Sequence, residues 1–295
     1  MVEFILNQLF SGLVRSVVYF LVTCGLTLLF GVVGTLNMAH FSLYMIASYM
    51  VWTFSSVLQG YAFSYWLAFS LAALFMCVLA WVIELLVIKH LYHRVLTEQL
   101  LVTFAMIYML DDLIKITWGT IPRFVSKPDF LANIVNLGSG INFPASGIFI
   151  LSVGLATGLG MWLMLVRTRI GRILRAAYSF KDMISCLGVP IQKIYQGMFI
   201  LSVFLACIAG SAWSLIGVVD LSQGSSLLIE AFCVMVIGGM GSFAGTALSS
   251  LICGLTYSFA IVFVPRLATL MIFIFAGIIL SIRPWGLMGV KGRLH

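Results

Sequence analysis

Charge is scarce in this sequence. Only 8% of the 295 residues are Asp, Glu, Lys or Arg, whereas 62% are hydrophobic. A water-soluble fold could not bury that much apolar surface, but lipid can solvate it. Long apolar runs recur along the whole length, without the short alternating segments of a membrane β-barrel. The composition therefore predicts an all-α integral membrane protein, a polytopic helical bundle forming one domain over 1–295.

Several chemical motifs are also missing. The sequence has no Gly-x-x-x-x-Gly-Lys-[Ser/Thr] run, so we expect no ATPase within the chain and no enzyme activity of its own. The six cysteines are scattered without ligand spacing and are interpreted as packing residues. The four histidines form no metal pattern, and His90 and His93 are interpreted as a loop pair. The net charge of +7 has no basic soluble region to carry it, so we expect no nucleic-acid partner.

The apolar runs divide into eight or nine candidate membrane spans. A crossing helix needs about 20 apolar residues. The second, seventh and eighth candidates are short or broken by glycine, which is typical of half-helices or re-entrant segments. The candidate spans are 11–34, 38–57, 64–88, 98–118, 146–166, 197–219, 228–247, 248–264 and 267–283.

Basic residues orient these spans, because Lys and Arg collect on the cytoplasmic side. Nine crossings place the basic residues of 89–94, 167–193 and 283–293 on one side, which we interpret as the cytoplasm. The C-terminus is then cytoplasmic. The N-terminus and the loops 119–145 and 220–227 face outward, and the prolines and glycines of the longer loop predict an extended or loosely ordered segment.

A basic segment between the fifth and sixth spans predicts a short cytoplasmic amphipathic helix at about 171–188. Its apolar residues recur at helical spacing on one face. Gly188 can adopt the left-handed conformation that ends a helix, and Pro190 blocks continuation. The helix either lies on the lipid surface or docks into a groove of a cytoplasmic partner. The residues of that apolar face are Ile173, Ala177, Phe180, Ile184 and Leu187.

Three stretches resemble the LivH-like family of branched-chain amino acid-type ABC permeases. They are RTRIGRILRAA…CLGVP, GLTLLFGVVGTLNMAHFSLYMIASYM and EAFCVMVIGGMGSFAGTALSSLICGL. The resemblance implies a permease subunit of a binding-protein-dependent importer in the bacterial inner membrane. Its solute would be a branched-chain or hydrophobic amino acid, or a related small solute.

The resemblance also implies partners. Separate cytoplasmic subunits would bind ATP and Mg²⁺, so this chain would hold no cofactor. A periplasmic binding protein would deliver the solute, and a LivM-like chain or a second copy of this chain would complete the path. The ATPase would contact the 171–188 helix, through Arg172, Arg175, Ala177, Phe180, Ile184, Leu187 and Gly188.

Two flexible, polar interruptions are candidates for the translocation path. One contains Gly31, Gly34, Asn37 and His40, and the other runs from Gly238 to Gly245. Irregular backbone at membrane depth is tolerated only where protein or a water-filled path surrounds it, although close helix packing would explain the glycines equally well. The candidate path residues are Asn37, His40, Ser42, Glu230, Gly238, Gly239, Gly241 and Ser242.

Several charged residues lie in or near the spans, and each needs an interpretation of its own. Glu84 is interpreted as the partner of a basic residue, and Asp111 and Asp112 as groups that reach toward water with Lys115. Glu230 stands where the family usually has Lys. An ion-coupled secondary transporter of a small organic solute is the alternative function. It would need ionisable relays at mid-membrane, and the spans carry few.

Overall fold

The fold is described by a computed structural model that covers residues 2–59, 61, 63–92, 94–136, 142–179, 188 and 190–289. Helices dominate the described residues, which also contain one antiparallel pair of short strands. In chain order the elements are α1 (Val2–Val33), α2 (His40–Val57), α3 (Ser64–Ile83), a π-helical turn (Glu84–Ile88), α4 (Lys89–Leu91), α5 (Leu96–Trp118), α6 (Asp129–Ala132), β1 (Ile134–Asn136), β2 (Asn142–Pro144), α7 (Ala145–Arg167), α8 (Arg169–Ser179), α9 (Ile191–Ser214), α10 (Ser222–Gly238), α11 (Phe243–Phe263), a 3₁₀ turn (Pro265–Leu267) and α12 (Ala268–Ile282).

Six helices in the described ranges are long and apolar enough to cross a membrane, judged by length and composition. They are Glu3–Val33, Ser64–Leu91, Ala145–Arg167, Ile191–Ser214, Phe243–Phe263 and Pro265–Ile282. Three others match predicted spans less well: α2 is rich in Tyr and Ser, α5 carries Glu98, Asp111, Asp112 and Lys115, and α10 has 17 residues. The helical bundle is thus confirmed, while the count of eight or nine crossings stays a prediction.

Helix α1 lies at the centre of the bundle. In an 18-residue apolar stretch of α1, 78% of the residues are buried. The corresponding figure is 17% for α7 and 17% for the candidate span Pro265–Ile282. Small residues let α11 run antiparallel against α1 at close range. A Cβ on Gly12 would lie 3.1 Å from the Leu255 Cα, and a Cβ on Gly254 would overlap Ser16. Farther along, the Thr27 and Thr246 hydroxyls share a hydrogen bond of 2.9 Å. Close approach through small residues is how helices associate in lipid, where apolar burial gives no net driving force.

Helix α2 begins beside the middle of α1 rather than at its end. The His40 Nε2 lies 3.2 Å from the Val22 carbonyl oxygen, and a Cβ on Gly25 would lie 3.0 Å from the His40 Cε1. α1 continues for eight more residues to Val33, a rise of about 12 Å. Residues 34–39 therefore fold back along α1, which agrees with the prediction that the second span is short.

The boundary between the seventh and eighth spans was predicted wrongly. Helix α10 starts at Ser222, inside the predicted loop 220–227, and ends at Gly238. The break lies at residues 239–242, not at the junction of 247 and 248, and α11 starts at Phe243. Apolar residues continue on both sides of this break, so hydropathy placed the span boundary too late, although the interruption predicted at 238–245 does include residues 239–242.

The described parts of the segment 119–145, which are 119–136 and 142–145, contain more regular structure than predicted. They include α6 and the paired strands β1 and β2, in which Val135 pairs with Phe143. Arg123 exchanges two backbone hydrogen bonds of 2.9 Å with Val219, and its guanidinium lies 4.6 Å from the centre of the Trp52 ring. These contacts hold residue 123 against the connection between α9 and α10 and against α2.

Glu84 is buried at the π-helical turn. It is 2% exposed, and it accepts hydrogen bonds from the Tyr92 hydroxyl at 3.0 Å and from the Gln196 Nε2 at 2.8 Å. Within the described ranges no basic side chain forms an ion pair with it. Neutral donors therefore bind this buried carboxylate, and its basic partner stays a prediction.

Candidate translocation site

The first break runs from Gly34 to Ala39. Gly34 has φ of +75°, a left-handed conformation that glycine adopts without strain. Asn37 is 2% exposed, and its Oδ1 accepts a hydrogen bond from the Ala39 backbone N–H at 3.1 Å. The Asn37 Nδ2 and the His40 Nδ1 are both buried, and neither has a partner among the residues described. Buried polar atoms without partners are costly in most folds. These two nitrogen atoms therefore remain available for further hydrogen bonds.

The second break follows α10. Gly239 and Gly241 have φ of +98° and +86°. Ser242 starts α11, and its hydroxyl accepts a hydrogen bond from the Gly245 N–H at 3.1 Å. Gly238 packs directly on Gly245, because a Cβ on Gly238 would lie 2.6 Å from the Gly245 carbonyl carbon. The glycines thus provide both the changes of direction and the close packing.

A segment near the C-terminus covers this second break. The Leu287 N–H donates to the Ile237 carbonyl at 2.8 Å, and the Met288 N–H donates to the Gly238 carbonyl at 3.1 Å. A Cβ on Gly239 would lie 2.5 Å from the Gly289 nitrogen. These bonds satisfy helix-end carbonyls that would otherwise lack partners. Sequence reasoning missed this role, although the glycines of the Arg-Pro-Trp-Gly-Leu-Met-Gly run were a usable signal.

The second break packs against the end of α1. A Cβ on Gly31, in the last turn of α1, would lie 3.1 Å from the Gly241 Cα. A cavity of about 420 Å³ opens beside this contact. Its wall includes Gly31 of α1, Gly241 and Ser242 of the second break, and Leu174 and Arg175 of α8. We call it the break cavity; it brings the second break and part of the predicted coupling segment to one place, whereas Asn37 and His40 do not line it.

Helix α8 is fixed closely to the end of α7. The Thr168 hydroxyl accepts a hydrogen bond from the Gly171 N–H at 3.1 Å, which caps the helix. The Arg175 Nη1 donates to the Leu165 carbonyl. Leu174 is 1% exposed and faces the break cavity, whereas Arg172 is exposed. Sequence reasoning missed Leu174, because it lies beside the apolar stripe that begins at Ile173 rather than on it.

The remaining coupling residues are only partly described. Ala177 lies in the last turns of α8, and Gly188 has φ of +75°, the left-handed conformation that the sequence predicts there. Phe180, Ile184 and Leu187 lie outside the described residues. The far half of the predicted 171–188 helix therefore stays a prediction.

Ser42 is placed apart from the break cavity. It is 2% exposed on α2, and its hydroxyl donates to the Asp111 Oδ1 on α5 at 2.8 Å. Asp112, rather than Asp111, forms the 2.8 Å ion pair with Lys115. Asp111 therefore contacts the bundle interior, not water alone as the sequence suggested.

Glu230 lies in a buried ionic cluster. It is 3% exposed, and its Oε2 accepts hydrogen bonds from the Arg15 Nη2 at 3.0 Å and the Tyr19 hydroxyl at 2.7 Å. The Thr269 hydroxyl lies 3.5 Å from its other oxygen. The Arg15 guanidinium also stacks 4.0 Å from the centre of the Tyr257 ring. The Arg15–Glu230 pair joins α1 to α10, and the Tyr257 ring adds α11 to the cluster. Sequence analysis missed Arg15, because its partner Glu230 lies 215 positions away.

Long apolar helices, two breaks in them and a cavity beside the second break are typical of a polytopic membrane protein of the transporter type. Comparison with known families agrees, because residues 8–282 match the family described as "Branched-chain amino acid transport system / permease component". The chain belongs to this family.

Named relatives extend along nearly the whole chain. LivH of Salmonella typhimurium, a "high-affinity branched-chain amino acid transport system permease protein", is 25% identical over 97% of this chain and 96% of its own length. BraD of Pseudomonas aeruginosa, which has the same description, is 26% identical over 96% of this chain and 95% of its own length. A probable LivH of Methanocaldococcus jannaschii is 24% identical over 84% of this chain and 78% of its own length. No solved structure matches the chain.

Proposed function

We propose that this chain is the transmembrane permease subunit of a binding-protein-dependent ABC importer. One observation carries the proposal: Leu174 and Arg175 of α8 share the break cavity with Gly31, Gly241 and Ser242. A displacement of α8 by a cytoplasmic partner would act directly on the contact between the end of α1 and the second break. Paired broken helices at a transport site are typical of alternating access.

The partners follow from this arrangement and from the relatives. Separate ATP-binding subunits supply ATP and Mg²⁺, a periplasmic binding protein delivers the solute, and a LivM-like chain or a second copy of this chain completes the path. The complex resides in the bacterial inner membrane, with the C-terminus of this chain in the cytoplasm. The transported solute is a branched-chain or other hydrophobic amino acid, or a related small solute, as the names of the relatives suggest.

The candidate path combines Asn37 and His40 at the first break with 238–242 at the second. Flexible backbone, unpartnered polar atoms and a neighbouring cavity support this assignment. Ser42 and Glu230 are secondary members, because each is engaged by a side chain outside the breaks.

The ATPase is proposed to bind the apolar stripe that continues from Ile173 through Phe180. Phe180→Ala removes the largest side chain of that stripe, and truncating such an anchor costs about 2–4 kcal/mol of binding. The test is ATPase co-purification and solute-stimulated ATP hydrolysis for Phe180→Ala, with Arg172→Ala as the matched control. We expect loss of one or both in the first variant and little change in the second. Equal, mild effects would favour a helix that lies on the lipid surface.

The ion-coupled secondary transporter remains the competing proposal. The observation in its favour is the buried Arg15–Glu230 pair, since intramembrane ionisable groups often form proton relays. Co-purification separates the two proposals. An importer brings ATPase subunits with it, whereas a secondary transporter is active as a single chain.

A further inference from the structure

A second cavity, of about 380 Å³, lies at the other end of α1. It is bounded by α1, the start of α7, and the end of α9, and we call it the N-terminal cavity. Arg15 on its wall is nine residues from Cys24, the nearest α1 residue of the break cavity, a rise of about 14 Å. By the basic-residue asymmetry, this end of α1 faces outward.

The walls of the N-terminal cavity are mainly apolar. Phe10 and Phe143 stack with ring centroids 4.2 Å apart, and Trp213 and Ile216 form the opposite side. Asn7 and Ser11 line the same space with polar side chains. Sites for small organic ligands combine such apolar walls with a few polar groups, in cavities of about 300–1,000 Å³.

Arg15 gives the cavity its charged group. Its side chain is 23% exposed, its Nε donates to the Tyr19 hydroxyl at 3.1 Å, and its Nη2 donates to Glu230 at 3.0 Å. Among the residues described, none accepts a hydrogen bond from Nη1. The rings of Tyr257 and Trp213 hold the guanidinium at 4.0 and 5.3 Å. The group is therefore fixed in place with donor capacity remaining.

The charge balance selects the class of ligand. A guanidinium binds a carboxylate through paired hydrogen bonds. Because Glu230 already neutralises Arg15, the site has no net charge and suits a zwitterion better than an anion. The Asn7 and Ser11 side-chain oxygens can accept hydrogen bonds from an ammonium group. The apolar walls suit an aliphatic side chain.

We propose that the N-terminal cavity binds a neutral aliphatic α-amino acid, with its carboxylate on Arg15, before the solute reaches the breaks. The inference rests on the proposed function, and it adds an outer binding site for the solute class given there. Arg15 acts as a substrate-binding residue, and Glu230 positions it.

The test uses the assembled complex with its six native cysteines replaced and a single cysteine introduced by Ser11→Cys. A membrane-impermeant maleimide labels this cysteine, and leucine is the probe for protection. If leucine binds with a Kd of about 1 mM, then about 10 mM leucine slows labelling about tenfold. Leucinamide, which lacks the carboxylate, is expected to give no protection. Leu13→Cys is the matched control, because Leu13 is 37% exposed and does not line the cavity.

Arg15→Gln in the Ser11→Cys background tests the charged group. Loss of a charge-assisted hydrogen bond weakens binding about tenfold or more, so protection falls to about twofold or less. Arg15→Lys keeps the charge without the paired donors and is expected to give intermediate protection. If Arg15→Gln does not assemble, the comparison of leucine with leucinamide on intact Arg15 still decides the question.

Two results would overturn the inference. One is the absence of protection by leucine, and the other is equal protection by leucinamide or at the Leu13→Cys control. Failure of the proposed function has a different signature, which is the absence of ATP-driven uptake by the unmodified complex.

Discussion

At the scale of single residues, the Arg15–Glu230 pair carries the largest electrostatic consequence. Removing Arg15 leaves the buried Glu230 charge without its partner, which costs about 3 kcal/mol or more, whereas removing Glu230 leaves a partly exposed charge and costs less. We expect Arg15→Gln and Glu230→Gln each to lower the thermal unfolding midpoint of the purified complex. The double variant is expected to lose much less than the sum of the two, because it leaves no charge unpaired. Strictly additive losses would mean that the two side chains do not stabilise each other.

Gly239 is the second residue whose replacement is expected to have a large effect, in this case on transport. Its φ of +98° disfavours any side chain, and a Cβ would lie 2.5 Å from the Gly289 nitrogen. Gly239→Leu is therefore expected to abolish transport while the subunits still assemble. Gly160→Leu is the control, since no atom lies within 4 Å of a Cβ there. Uptake of labelled solute and subunit co-purification are measured for both. Normal uptake by Gly239→Leu would show that the second break is not needed for transport.

The roles of some residues could be predicted from the sequence, and the roles of others could not. The glycines and polar residues of the two breaks could be predicted, because their types are unusual in an apolar run and require a local conformational reason. The partners of Glu230 and Glu84 could not, because Arg15 and Gln196 lie 215 and 112 positions away. Such pairs arise from helix packing, and no local pattern encodes them.

At the scale of elements, the packing of α8 at the edge of the break cavity has the clearest test. Leu174 is 1% exposed, whereas Ile170 on the same helix is 54% exposed. Leu174→Ala is expected to cost about 2–5 kcal/mol locally and to speed amide hydrogen exchange in 169–179. Ile170→Ala removes a similar volume from an exposed position and is expected to leave exchange unchanged. Equal exchange in both variants would show that Leu174 does not hold α8 in place.

Helix positions were predicted better than helix boundaries. Runs of about 20 apolar residues mark α1, α3, α7 and α9 clearly, because lipid imposes that length. The junction of α10 and α11 was placed too late, since Phe243, Ala244 and Leu248 continue the apolar run past the break. The pairing of Ile134–Asn136 with Asn142–Pro144 was not foreseen either, because strands of three residues are too short to show a distinctive alternation.

At the scale of the whole molecule, basic-residue asymmetry predicts which end of the bundle faces the cytoplasm. Arg172 on α8 and Asn133 before β1 are both exposed, so each tolerates a labelling site. In intact cells, Arg172→Cys is expected to resist an impermeant thiol reagent, and Asn133→Cys to react with it. After membrane disruption both cysteines are expected to react. Labelling of both positions from outside would contradict a single membrane crossing by α7 between them, and with it the predicted orientation.

At the level of the whole complex, we propose that separate ATPase subunits drive solute transport through this chain. The most direct measurement is leucine uptake into proteoliposomes that contain the purified complex, with binding protein outside and ATP supplied to the ATPase side. The account predicts uptake that requires both ATP and binding protein, and that persists when ion gradients are collapsed. Uptake by this chain alone, driven by a proton or sodium gradient without ATP, would contradict it.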